Sequence, residues 1–224
     1  MKININAIKN NREYINEFSV KIYKSHIRAI TDNSFKEFGN NTKSDFKKFL
    51  DEFLTIEASL LKNEFDGYRE KQQPHPIQEE NNLNAIPYQH PDLDKWRESL
   101  RNGVKRFHEP TNLILRGGID DVWINTKTNQ LIVVDYKATS KKGEVSLDAD
   151  WQISYKRQVE FYQWLFRGNS FDVSDTAYFV YCNGIKDKDE FNNKLDFKVK
   201  LIPYIGDDQW VEPTLLDLKY CLLA

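Results

Sequence analysis

Asp120, Asp135 and Lys137 are the residues of this chain best placed to do chemistry. They stand in two stretches, Gly117-Gly118-Ile119-Asp120-Asp121-Val122 and Leu131-Ile132-Val133-Val134-Asp135-Tyr136-Lys137. In the second, four apolar residues run straight into an acid, an aromatic and a lysine. A buried strand ordinarily ends in turn residues, so these charges sit where the strand should still be inside the protein. A hairpin symmetric about Lys127 and Thr128 sets Asp120 opposite Asp135. Directly opposed side chains share a face, with Cβ atoms about 4.5–5.5 Å apart. Lys137, two residues on, shares that face. Two carboxylates this close repel unless one is protonated or a cation bridges them. Oxygen ligands favour a hard ion such as Mg²⁺, which lowers the pKa of a bound water and polarises a phosphoryl oxygen. A lysine alongside can orient the water and stabilise charge that builds in the transition state. The arrangement suits metal-assisted phosphodiester hydrolysis. The alternative is a solvated hairpin tip whose acids pair with Lys137, and the apolar run before Asp135 weighs against it.

The elements that must position these residues follow from periodicity. Residues 10–70 read as helical and polar. The clearest piece is 43–70, where Phe46, Phe49, Leu50, Phe53, Leu60, Leu61 and Phe65 recur at three- and four-residue spacing after a Thr42–Asp45 cap. Residues 71–91 hold four prolines and read as a connection. Residues 92–107 read as a helix, and 113–124 and 131–138 as strands joined by the polar turn Asn125–Gln130. A helix over 151–167, strands from Thr176 to Cys182 and from Leu195 to Tyr204, and a helix over 209–222 complete the order. That order is α/β with a mixed sheet. We expect 1–109 to be a helical N-terminal part packed on a core of 110–224, together one structural domain.

Bulk properties exclude several classes. The 224 residues are 40% hydrophobic, enough for a sizeable core. A net charge of −2 calls for no polyanion, so a nucleic acid would need a local basic patch. Two distant cysteines, Cys182 and Cys221, exclude a disulfide scaffold and a cysteine-rich zinc site and fit a reducing, cytoplasmic setting. The first residues lack the apolar stretch of a signal peptide, and no run approaches the roughly 18 apolar residues of a membrane span.

The helix over 151–167 adds Tyr155, Gln158, Tyr162 and Leu165 on one stripe. Gln158 is polar in an otherwise apolar or aromatic row, and a buried amide needs partners; backbone groups are the plain alternative. With these residues the chain resembles the RecB-like branch of the PD-(D/E)XK nucleases, which includes CRISPR-associated RecB-like exonucleases. The resemblance rests on Gly117-x-Ile119-Asp120, then Asp135-Tyr136-Lys137, then Gln158-x-x-x-Tyr162-x-x-Leu165. It implies a restriction-endonuclease-like core: a mixed central sheet flanked by helices, with an N-terminal helical region. It implies a DNA nuclease using Mg²⁺ or Mn²⁺. Asp120, Asp135 and the Tyr136 carbonyl would be metal ligands, Lys137 the catalytic lysine, and Gln158 and Tyr162 substrate or supporting contacts. Relatives often carry a histidine or an acid on the helix before the sheet; helical periodicity puts Ala58 there, with Glu57 and Glu64 nearby. His26, His75, His90 and His108 read as surface or loop residues. Many relatives hold an iron–sulfur cluster on four cysteines, and no such cluster is expected with two.

Substrate is expected along Arg97, Arg101 and Lys105, four residues apart on the helix read over 92–107, a stripe that can follow phosphates. A solvated helix face is the plain alternative. Lys141, Lys142, Lys156 and Arg157 add positive charge, and Gly143 is a candidate flexible lip. The expected function is a metal-dependent DNA nuclease. The alternative is a catalytically degenerate relative that binds nucleic acid, or a protein partner in a repair or defence assembly.

Overall fold

The computed structural model describes residues 59–185 and 196–223. The cap at Thr42 and Asp45, the residues Phe46, Phe49, Leu50, Phe53, Glu57 and Ala58, and His26 lie outside them. Within the compact unit Glu57–Asp217, helix α1 covers 59–71, followed by α2 (Pro76–Glu80), β1 (Ala85–Pro87) and α3 (Leu93–Arg97). Then come β2 (Val104–His108), β3 (Leu113–Gly117), β4 (Asp121–Asn125) and β5 (Leu131–Thr139). The last elements are α4 (Ile153–Gly168), β6 (Thr176–Gly184), β7 (Phe197–Ile205) and α5 (Val211–Leu223). None of the described helices is long and apolar enough to cross a membrane.

Five strands form a mixed sheet in the order β1-β4-β5-β6-β7. Only the β5–β6 pair is parallel, and α4 supplies the crossover that parallel neighbours require. Strand alternation splits the core in two. Val122, Val133 and Phe179 face α4, packing with Val159, Leu165 and Phe166. Trp123, Ile132 and Val134 face the other way, onto Phe65 of α1. Val159, Leu165 and Phe166 are all 0% exposed, and burying each such side chain contributes about 1.5–3 kcal/mol. The helix that carries Gln158 and Tyr162 is therefore firmly seated.

The β4–β5 hairpin has the expected register: Val122 pairs with Val133 and Ile124 with Leu131. Its turn closes through Asn125, whose side-chain oxygen accepts from the Lys127 and Thr128 N–H groups. Three expectations fail. The stretch 71–91 is not a bare connection, because it holds α2 and β1, and β1 joins the main sheet beside β4. The stretch 113–124 is not one strand, because β3 leaves the main sheet to pair with β2 in a separate two-stranded sheet. The residues 92–107 are not one helix, because α3 ends at Arg97 and Val104–His108 is a strand. Gly103 makes the break. It holds φ at +76°, and a Cβ there would stand 2.7 Å from the Gly117 carbonyl oxygen.

The Gly117-Gly118 pair has a packing reason as well. A Cβ on Gly118 would meet the Ser99 side chain and stand 2.5 Å from the Ser99 Cα. Gly118→Ala is expected to cost about 1–3 kcal/mol, because backbone on the far side cannot give way as a side chain could. A urea titration measures this, and an unchanged midpoint would contradict the contact.

Candidate active site

Asp120 ends the segment that feeds β4, and Asp135 lies in β5 across from it. The Tyr136 N–H donates to Asp120 Oδ2 at 3.1 Å, which fixes the Asp120 carboxylate against β5. Asp135 is completely buried. Lys137 Nζ sits 2.5 Å from Asp135 Oδ2. Apart from that lysine, neither Asp135 oxygen has a hydrogen-bond donor among the described residues. Burial, and secondarily the charge of Asp120, push the Asp135 carboxyl up to about 7 against the pull of Lys137. From α4, Gln158 Oε1 accepts from Lys137 Nζ at 3.2 Å, and Gln158 Nε2 donates to the Tyr162 hydroxyl at 2.9 Å. Tyr155 lies one turn earlier, with Lys137 Nζ 4.3 Å from its ring centroid. The lysine ammonium is thus held from three sides by a carboxylate, an amide oxygen and an aromatic face.

Asp121, the next residue after Asp120, does the opposite job. Successive strand residues point to opposite faces, so Asp121 turns toward α1. It is 0% exposed and pairs with Arg69 and, at 3.0 Å, with Arg97. It also accepts from the Tyr136 hydroxyl at 2.7 Å and from the Val122 N–H at 2.9 Å. Burial first, then the Asp121 charge, raise the Tyr136 phenol well above its usual range. Asp66 of α1 completes the cage by pairing with Arg69 and by holding Arg97 through its two terminal guanidinium nitrogens, at 2.8 and 3.0 Å.

Asp120, Asp135, Lys137, Gln158 and Tyr162 therefore come together. Arg97, Arg101 and Lys105 do not. Arg97 is committed to Asp66, Asp121 and the Asp120 carbonyl. Arg101 is on an exposed turn and Lys105 on β2, opposite Arg116. The stripe fails because the helix on which it was drawn stops at Arg97. Lys156 and Arg157 lie over the rings of Tyr204 and Trp210. Glu64 is exposed and turned to His75, at 3.0 Å. His75 and His108 are buried rather than superficial; His108 bridges Thr111 and Glu212 at 2.7 and 2.6 Å.

Sequence reading missed Lys62, whose Nζ is 3.2 Å from Asp120 Oδ1, and missed the Asp66–Arg69 pair. The signal was present: Lys62, Asp66 and Arg69 fall at four- and three-residue steps, one stripe of α1 beside Phe65.

The donor set fits a divalent cation. A buried carboxylate whose one donor among the described residues is Lys137 keeps lone pairs to offer a cation, and two facing carboxylates supply hard oxygen donors. Among the described residues, no cluster of three or more His, Cys, Asp or Glu side chains is gathered for a metal. Sequence comparison then supplies the family: the model described as the PD-(D/E)XK nuclease superfamily matches residues 24–210. No curated protein and no solved structure gives a match.

Proposed function

Because the chain belongs to the PD-(D/E)XK nuclease superfamily, we propose that it is a divalent-metal-dependent DNA nuclease of the RecB-like branch. Proteins of this superfamily are generally metal-dependent nucleases, and their five-stranded mixed core with flanking helices is the restriction-endonuclease-like fold seen here. One observation carries the reading: Asp135 is fully buried, faces Asp120, and has Lys137 of the same strand as its one donor among the described residues. Asp120, Asp135 and the Tyr136 carbonyl would hold Mg²⁺ or Mn²⁺. When bound, the ion supplies an activated water and polarises the phosphoryl oxygen. Lys137 donates toward the charge that builds on the phosphate, and it is worth more there because its side chain is only 13% exposed and sits against the buried Asp135. Gln158 fixes where that ammonium points, and Tyr162 fixes Gln158.

Cleavage of labelled single- and double-stranded DNA tests the proposal. Product should form with Mg²⁺ or Mn²⁺, vanish with a chelator, and vanish in Asp135→Asn. No cleavage in either metal, from folded protein, would contradict it. A second reading has one observation in its favour: Lys62 neutralises Asp120 from the helix where relatives often place a histidine or acid. In that reading the fold binds nucleic acid, or a protein partner in a repair or defence assembly, without cutting.

The raised Asp135 carboxyl gives a pH signature. Its pKa rises from an ordinary 3.8 to about 7 on folding, so the folded chain binds this proton more tightly than the unfolded chain. The stability from this group is thus full below about pH 4 and is lost as pH rises toward 7. A cation competes with the same proton. Its affinity should rise about tenfold per pH unit up to about 7 and flatten above. Calorimetric Mn²⁺ titrations between pH 5.5 and 8 check this, and a flat profile would contradict it.

A further inference from the structure

We propose that Trp151 and Tyr155 form a ledge on which an unpaired base of a nucleic-acid strand stacks beside Lys137; this rests on the nuclease reading of that site. Trp151 is 55% exposed, in the short 3-10 turn Asp150–Gln152 that leads into α4. A single exposed apolar side chain needs no explanation, but this one is continuous with the site. Its ring meets the Tyr155 ring edge-on at 5.4 Å, and Tyr155 carries Lys137 Nζ over its face at 4.3 Å. Aromatic surface therefore runs from solvent to the ammonium that touches Asp135.

The turn presenting the indole is well fixed. Gln152 is 5% exposed; its Oε1 accepts from the Ala149 N–H at 2.9 Å, and its Nε2 donates to the Ser146 carbonyl at 2.7 Å. With the turn fixed and the Tyr155 ring against it, the indole has only its own side-chain torsions to order on binding. The surrounding charge is mixed. Lys141 and Lys142 are exposed on the loop before the turn, and Asp148 and Asp150 are exposed beside it. Glu144 is taken by Lys198 and Lys200. With the cations matched by acids, phosphate attraction gives this surface no strong pull on a backbone. A ring face, by contrast, suits any base. Inside a duplex each base has both faces covered by its neighbours, so only a single strand or a duplex end can offer one.

The test is the affinity of a fluorescein-labelled oligothymidylate and of a long duplex, in which terminal pairs are few, read by anisotropy without divalent metal. Trp151→Ala should weaken the single strand about tenfold, leave the duplex unchanged, and be largely rescued by Trp151→Phe. Unchanged single-strand affinity in Trp151→Ala overturns the ledge, as does an equal loss on the duplex; a Trp151 that serves a protein partner gives the first of these. Metal-dependent cleavage is scored separately on the wild type. Stacking without cleavage supports the ledge and overturns the nuclease reading, and cleavage without stacking does the reverse.

Discussion

Asp121→Asn is expected to cost about 3–5 kcal/mol, a large share of the roughly 5–15 kcal/mol that holds a typical domain together. The substitution keeps the shape and removes one charge. It leaves Arg69 and Arg97, which pair with Asp121 inside the protein, with only Asp66 between them. Burial already holds the Arg69 guanidinium below its usual range, and Asp121 is the first charge opposing that shift. The damage extends to the site, because Arg97 also donates to the Asp120 carbonyl at 3.1 Å. Thermal or urea unfolding measures the loss. Asp120→Asn, one residue away, is the control: its side chain is 29% exposed, and removing its charge relieves repulsion with Asp135, so stability should hold or rise. Equal stability of wild type and Asp121→Asn would show that the arginine cage is not what fixes α1 and α3 to the sheet.

Lys137→Met is expected to slow cleavage about 10²–10³-fold while the metal still binds. Removing one preorganised donor to a developing anion costs roughly that much. Its head group reaches Asp135, Gln158 and the Tyr155 ring, and methionine keeps the stem without the charge. Because Lys137 itself pulls the Asp135 carboxyl down, its loss raises that carboxyl further, so rates are compared on the alkaline plateau of each protein's own pH profile, where loss of the ammonium is not confused with a protonated ligand. Single-turnover rates with saturating Mn²⁺ decide it. Unchanged rates would remove Lys137 from the chemistry, and lost metal affinity would make it a support for Asp135 instead.

Much of the site was legible because strand geometry is a strict code. The apolar run into Asp135 marked a buried strand, the symmetric turn fixed the register, and the period of two put Lys137 beside Asp135. Gln158 and Tyr162 followed from the helical period and the family resemblance. The rest failed where local pattern was overruled by tertiary contact. Arg97, Arg101 and Lys105 have helical spacing, but Gly103 packs against Gly117 and the chain turns into β2. The 113–124 run has strand composition throughout, yet its two halves join different sheets. Asp121 drew no attention beside Asp120, although adjacent strand residues must face opposite ways and a buried acid must find cations. Its partners come from positions about 25 and 50 residues earlier in the chain, a distance over which spacing carries no information.

A Mn²⁺ titration of the wild type and Asp120→Asn at pH 8, alongside their unfolding midpoints, decides whether the facing carboxylates hold a metal. The wild type should bind the ion, and Asp120→Asn should lose it at equal or higher stability. A wild type that binds no Mn²⁺, or a variant that binds it equally well, would show that the facing carboxylates are not a metal site.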